Sequence, residues 1–329
     1  MPERGLNLSA AGDDLKTMNE PIIKPIEAII AETRKEIQPF VFKRLEARTP
    51  RKAGEKIART ITVTSGKGGV GKTSLVANMA ICLAQAGQRV IILDADLGLA
   101  NIDVVFGIRP RNSLMDVING DMNLDEVMVQ GPHDIQIIAG GSGVSELADI
   151  ENEKAQRLFN QLRFLEDKAD FLLIDTGAGI SGSVISFCQA ADQIVVITTS
   201  EPTALADAYG IIKIISNRRP ESHVSVLVNR VDSDEEGSQV HARLARVAGE
   251  FLGFTVHHLG NLPQDRNMHI AVRQQTPLML FSPMSPAATG LRRIVSQSFY
   301  EVPENLPDSG GEGFFTRLAK LFKGGSAQQ

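Results

Sequence analysis

The chain has 329 residues, 43% of them hydrophobic, and a formal net charge of −5. That length can bury a substantial core in one large or two ordinary domains, and the acidic balance argues against a general nucleic-acid binder. The two cysteines, Cys82 and Cys188, form no C-x-x-C pair, no apolar run reaches membrane-span length, and the polar start is not a secretory signal. A reduced, cytoplasmic protein without zinc or iron–sulfur sites is therefore expected.

Residues 1–59 differ in composition from the rest of the chain. The first twenty are polar and read as disordered. Between Ile26 and Leu45, Ile26, Ile29, Ile30, Ile37, Phe40 and Val41 recur at helical spacing among many charges, which predicts one amphipathic helix, and Arg48 to Arg59 is a basic linker. Residues 60–299 alternate β-branched runs with helical segments. The runs Thr60–Thr64, Arg89–Leu93, Ile135–Ile138, Phe171–Ile174, Ile194–Thr198, Val224–Val228 and Thr255–His258 read as strands. They are almost continuously apolar, as in a parallel sheet covered on both faces. Helices are predicted over Leu75–Ala86, Lys154–Leu165, Ala204–Asn217 and Glu235–Leu252, the last with Ser233 and Glu236 as a capping box. The pattern is a doubly wound α/β domain with a mostly parallel sheet, whose ligands belong at the carboxyl ends of the strands. Residues 300–312 form an acidic, Pro/Gly-rich tether, and 313–329 a short amphipathic tail.

The chemistry starts where the first strand ends. Gly66-x-x-x-x-Gly71-Lys72-Thr73 is a complete phosphate-binding loop between a predicted strand and a predicted helix. Glycines let the backbone N–H groups of Gly66, Lys67, Gly68, Gly69, Val70, Gly71, Lys72, Thr73 and Ser74 fold around phosphate oxygens, and the helix N-terminus adds positive potential. Lys72 reaches the β/γ-phosphates and the Thr73 hydroxyl ligates Mg²⁺. The second strand ends in Asp94-Ala-Asp96, two carboxylates on one side of the chain, which need a cation or hydrogen-bond donors nearby. Asp94 is expected in the second shell of the Mg²⁺. Phe171-Leu-Leu-Ile-Asp175 is a Walker B pattern, with Asp175 holding a Mg²⁺-bound water, and Thr176-Gly-Ala-Gly-Ile180 has the glycines of a mobile switch. Asn229 ends another strand, and Asn261-Leu-Pro263-Gln-Asp265 follows one; Asn229, Pro263 and Asp265 are candidates for the base. His257 and His258 are adjacent on a predicted strand, face opposite sides and make a poor metal pair.

In the tail, Phe314, Phe315, Leu318, Leu321 and Phe322 fall within an arc of about 120° on a helical wheel, opposite Arg317, Lys320 and Lys323. That predicts an interfacial helix with its aromatics among acyl chains and its cations at anionic headgroups. One such helix binds weakly; two on a dimer bind far better.

Lys67-Gly-Gly-Val-Gly-Lys-Thr73 resembles the deviant Walker A loop of the MinD/ParA group of ATPases. The resemblance implies an ATP-dependent homodimer in which Lys67 reaches the phosphates of the partner's ATP. It also gives Asp96 the attacking water and Asn229 the adenine edge. Asp94-Ala-Asp-Leu-Gly-Leu-Ala-Asn-Ile-Asp103, Gly140-Gly-Ser-Gly-Val-Ser-Glu-Leu147, Asp175-Thr-Gly-Ala-Gly-Ile-Ser181 and Glu201-Pro-Thr-Ala-Leu-Ala-Asp-Ala-Tyr209 are most similar to the FlhG (FleN) family of flagellar-number regulators. Its members imply a slow ATPase using ATP and Mg²⁺ that cycles between cytoplasm and inner membrane. The partners implied are an FlhF-type GTPase, flagellar basal-body components or a flagellar transcription activator. Residues 1–59 lack the Asp-Gln-Ala and Leu-Arg motif by which many members stimulate FlhF. A MinD-type division regulator, a ParA-type positioning ATPase, an iron–sulfur carrier ATPase, which would need paired cysteines, and a non-hydrolysing scaffold are the alternatives.

Overall fold

The computed structural model describes residues 57–96, 101–140, 152–299 and 312–325. The expected helix between residues 26 and 45 and most of the tether, 300–311, lie outside the described residues.

Strand β1 (Arg59–Ser65) runs through the phosphate-binding loop into helix α1 (Lys72–Gln85), and β2 (Val90–Ala95) comes next. Three short helices, α2 (Ile102–Phe106), α3 (Leu114–Asn119) and α4 (Leu124–Val127), lead to β3 (Met128–Gln130) and β4 (Gln136–Ile138). Then come α5 (Asn152–Lys168), β5 (Phe171–Ala178), α6 (Gly182–Ala190), β6 (Gln193–Thr198), α7 (Pro202–Arg218), β7 (Val224–Val231), α8 (Asp234–Leu252) and β8 (His257–Pro263). Helices α9 (Arg266–Arg273), α10 (Leu278–Phe281) and α11 (Pro286–Ser298) complete the domain, and α12 (Phe314–Gly325) is the tail.

The strands form one sheet in the order β3-β4-β2-β5-β1-β6-β7-β8. All neighbours are parallel except β3 and β4. The central strands β2 and β6 are buried from end to end, which is why they read as unbroken apolar runs. Alternate residues serve opposite layers: Val90 and Ile92 pack with α1, α10 and α11, and Ile91 and Leu93 with α3, α5, α6 and α12.

The seven expected strands are present with shifted ends. The last is displaced most, to His257–Pro263 rather than Thr255–His258, because its pairing with β7 continues to Pro263. The antiparallel edge strand β3 was not expected; at three residues it is too short to show periodicity. The capping box of α8 is shifted too. Ser233 Oγ accepts the Glu236 N–H, but the Glu236 carboxylate reaches back to Asp232 N–H, one residue beyond the N-cap.

The tail departs furthest from expectation. Helix α12 lies on α5 and α6 of the body, with Phe314, Phe315 and Leu318 buried and Leu321 and Phe322 half-buried. The Phe314 ring stacks on Phe187 at 6.4 Å, and Phe322 lies 6.1 Å from Phe159. Glu166 accepts the Phe315 N–H at 2.7 Å, supplying one of the partners that a helix start needs. Arg317 does not face solvent as the wheel implied. Its guanidinium bonds Asp192 at 2.6 Å and the Ala190 carbonyl at 2.7 Å. Lys320 pairs with Glu312 at 2.5 Å. The wheel found the apolar face but could not name its partner, since a protein groove and an acyl layer offer similar gains to buried aromatics.

Candidate functional site

The loop after β1 closes tightly on its surroundings. A Cβ at Gly66 would run into the Asp207 backbone, and one at Gly71, where φ is +98°, would lie 2.7 Å from the Asn229 amide. Only glycine fits at both positions. The loop borders a cavity of about 710 Å³, lined among others by Lys72, Thr73, Asp96, Asn229 and Pro263. This is the size class of a small-molecule site, and it lies at the carboxyl ends of the parallel strands. Gly68, Gly69, Gly71, Ser74 and Asp265 also line it, whereas Gly66, Lys67 and Val70 do not.

Lys72 is buried beside Asp175, with Nζ 3.9 Å from Oδ1. Asp175 has no exposed surface, and its oxygens make no full hydrogen bond, the Thr73 hydroxyl being a weak donor beside them. Burial pushes its carboxyl up to about 7, against the pull of Lys72. A buried carboxylate with open lone pairs is the donor that a hydrated cation fits. Among the described residues no cluster of His, Cys, Asp and Glu could hold a metal alone. Thr73 and Asp175 therefore fit Mg²⁺ that arrives with a nucleotide's phosphates.

Asp94 has a different task. Its Oδ1 accepts Asp96 N–H at 3.0 Å, and its Oδ2 accepts the N–H groups of Asn101 and Ile102 at 3.0 and 3.1 Å. The carboxylate thus ties the end of β2 to the start of α2. Burial is the main reason its carboxyl is raised to about 6. Asp96 points into the cavity, its Oδ1 3.3 Å from where a Gly177 Cβ would stand. The switch glycine thus makes room for the carboxylate expected to position water.

Lys67 is turned away from its own loop. Its Nζ bonds Glu201 Oε2 at 2.5 Å and Thr203 Oγ1 at 3.1 Å, at the start of α7. Asn229 Nδ2 donates to the Val70 carbonyl at 2.7 Å, so its amide braces the phosphate-binding loop. The Asp265 carboxylate caps α9 through Asn267 N–H and holds the start of α11 through Ala287 N–H. It also lines the cavity. Two residues escaped sequence reasoning. Arg230 lines the cavity from a bulge in the β7–β8 pairing, with φ at +59°. Asn78 joins α1 to α10, accepting Met279 N–H at 2.8 Å while donating to Ser74 O. The positive φ appears only in the fold, and a helical Asn carries no signal of its own.

A family model described as "ParA: NUBPL iron-transfer P-loop NTPase" matches residues 56–298. The chain belongs to the ParA/MinD family of P-loop NTPases. It is 36% identical over 270 residues to "Antiactivator FleN" of Pseudomonas aeruginosa, covering 82% of this chain and 96% of the relative. It is 32% identical to "Flagellum site-determining protein YlxH" of Helicobacter pylori, over 79% and 89% of the two chains. The fold is similar to that of MinD from Pyrococcus horikoshii complexed with Mg-ADP, with a TM-score of 0.60 at 23% identity over 73% and 96% of the chains. Aquifex aeolicus MinD in a complex with MinC gives a TM-score of 0.59 at 24% identity over 74% and 97%. Family members are ATPases. The iron-transfer description of the family model finds no paired cysteines here, since Cys82 and Cys188 are both buried and lie in separate core layers.

Proposed function

We propose that the protein is an ATP-driven dimerising switch that sets flagellar number or placement, with slow hydrolysis as its timer. The observation that carries the ATPase reading is the convergence of Lys72, Thr73 and Asp96 on one cavity at the strand ends, with Asp175 buried 3.9 Å behind the Lys72 ammonium. The relatives named for flagellar roles support the cellular part.

Lys72 and the loop N–H groups hold the β/γ-phosphates and take up the charge that builds there during phosphoryl transfer. Mg²⁺ bound by Thr73 and, through water, by Asp175 would neutralise further phosphate charge. Asp96 orients the attacking water, with Gly177 leaving it space. Lys67 exchanges Glu201 for the phosphates of a second copy's ATP. In the resting monomer the tail stays on α5 and α6. In the dimer it is released to the anionic inner face of the membrane, where Phe314, Phe315, Leu318, Leu321 and Phe322 enter the acyl layer and Arg317, Lys320 and Lys323 meet headgroups. The partner is an FlhF-type GTPase, a basal-body component or a flagellar transcription activator.

A MinD-like division role is the second reading, favoured by relatives about 30% identical that are named as putative septum site-determining proteins. A clean deletion scored for flagella per cell and for cell length separates the two. Altered flagellar number with normal division supports the flagellar reading; minicells or filaments with unchanged flagella overturn it. Lys72→Ala must abolish ATP-dependent membrane binding, and Asp96→Ala must leave a dimer that stays bound.

A further inference from the structure

Arg230 meets the cavity in a backbone conformation that an arginine does not adopt freely. Its φ is +59°, in the left-handed region where any residue with a Cβ is strained. Successive side chains of a regular strand point to opposite faces, so Asn229 and Arg230 should not both serve one site. Here they do, because the pairing of β7 with β8 shifts register between Asn229 and Val231. The bulge turns Arg230 to the cavity, and Asn229 fixes the turn. Its Oδ1 accepts the Arg230 N–H at 3.0 Å, while its Nδ2 donates to the Val70 carbonyl at 2.7 Å. Strain of this kind persists only where the surroundings over-determine it, and it gathers at ligand sites.

The neighbours of Arg230 indicate the ligand. In the β7–β8 register Asn229 lies beside Leu262 and Val231 beside Pro263, so Arg230 stands next to the Leu262–Pro263 step, which lines the same cavity. Met268 and Leu291 extend that lining as apolar surface. The polar side chains nearby are already engaged with backbone: Asn229 as above, and Asp265 with the Asn267 and Ala287 N–H groups. The Arg230 guanidinium has no hydrogen-bond partner among the described residues. Its charge reaches Glu201, whose carboxyl is held below its ordinary value chiefly by Lys67. An apolar wall and a planar cation at one site grip a flat aromatic ring by its faces rather than its edge.

We propose that Arg230 covers the face of the nucleobase, clamping a purine ring against the Pro263 side of the cavity, and that the strained bulge exists to place it there. This deepens the nucleotide-binding reading above and rests on it. The test is isothermal titration calorimetry of the full chain with Mg²⁺·ADP and Mg²⁺·pyrophosphate, probes without a γ-phosphate, so that dimerisation does not enter. Arg230→Gly should weaken ADP binding about tenfold, the scale of a partly desolvated cation–π contact, and leave pyrophosphate binding unchanged. In the nucleotide-free protein the same glycine should raise the Tm by roughly 2–4 °C, because it relieves the left-handed strain. Arg230→Lys keeps the charge without the planar face and should recover only part of the ADP affinity. A fall in Tm, an unchanged ADP affinity, an equal loss with pyrophosphate, or full recovery by lysine would each overturn the clamp. A wild type that binds neither probe would instead overturn the nucleotide reading itself.

Discussion

Asp175→Asn should make the nucleotide-free protein more stable while removing its response to nucleotide. The carboxylate has no exposed surface and only a weak donor in the Thr73 hydroxyl, with Lys72 Nζ 3.9 Å away. A buried polar group without partners costs about 1–3 kcal/mol, and a charged one more. Lys72 recovers part of that, and the asparagine amide is itself imperfectly satisfied, so neutralising the site should stabilise by about 2 kcal/mol. For a domain of this size that corresponds to a rise in Tm of roughly 4–8 °C. The wild type at a hundredfold excess of Mg²⁺·AMP-PNP over Kd should gain about 2.7 kcal/mol. The variant should lose most of that gain, because the water-bridging carboxylate is gone. Calorimetric scans with and without Mg²⁺·AMP-PNP give both numbers. A Tm that falls in the nucleotide-free variant, as for an ordinary core lesion, would refute the strain argument. A full nucleotide-induced shift in the variant would remove Asp175 from the metal site.

Lys67→Ala should leave thermal stability unchanged, since its ion pair with Glu201 is exposed. It should abolish the rise of specific ATPase activity with protein concentration, measured by phosphate release. Gly237→Ala and Gly249→Ala should have opposite signs although both lie in α8. A Cβ at Gly237 would run into the Asn261 side chain, costing about 1–3 kcal/mol, whereas Gly249 is open and should gain about 0.5–1 kcal/mol in urea unfolding. His223 is held down to about 4, mainly by burial, with stacked His257 and Arg59 adding to it. Between its ordinary value near 6.5 and about 4 the unfolded chain takes up a proton that the folded chain refuses. Stability therefore falls as pH drops through that window, and levels off below it. Urea midpoints at about pH 7.5, 6 and 5 should fall less steeply in His223→Asn.

The sequence by itself determined the chemistry and the layer plan. The glycines and lysine of the phosphate-binding loop, the aspartates at the ends of β2 and β5, and the strand–helix alternation obey local rules of spacing and burial, and the fold keeps them. What depends on long-range packing was decided only in three dimensions. Asn229, read as a base contact, braces Val70 because β7 ends directly beneath the loop. Asp94, one of two equivalent-looking carboxylates, is taken up by three backbone N–H groups once the chain turns toward α2, while Asp96 faces the cavity. Lys67 is parked on Glu201, 134 residues away. The tail shows the division most clearly. Its periodicity fixes which side of the helix is apolar, but only the tertiary structure supplies the groove of Phe159, Leu162 and Phe187 that this side fills. Hydrophobic burial is non-directional, so a local pattern states that a face must be covered and the rest of the chain decides by what.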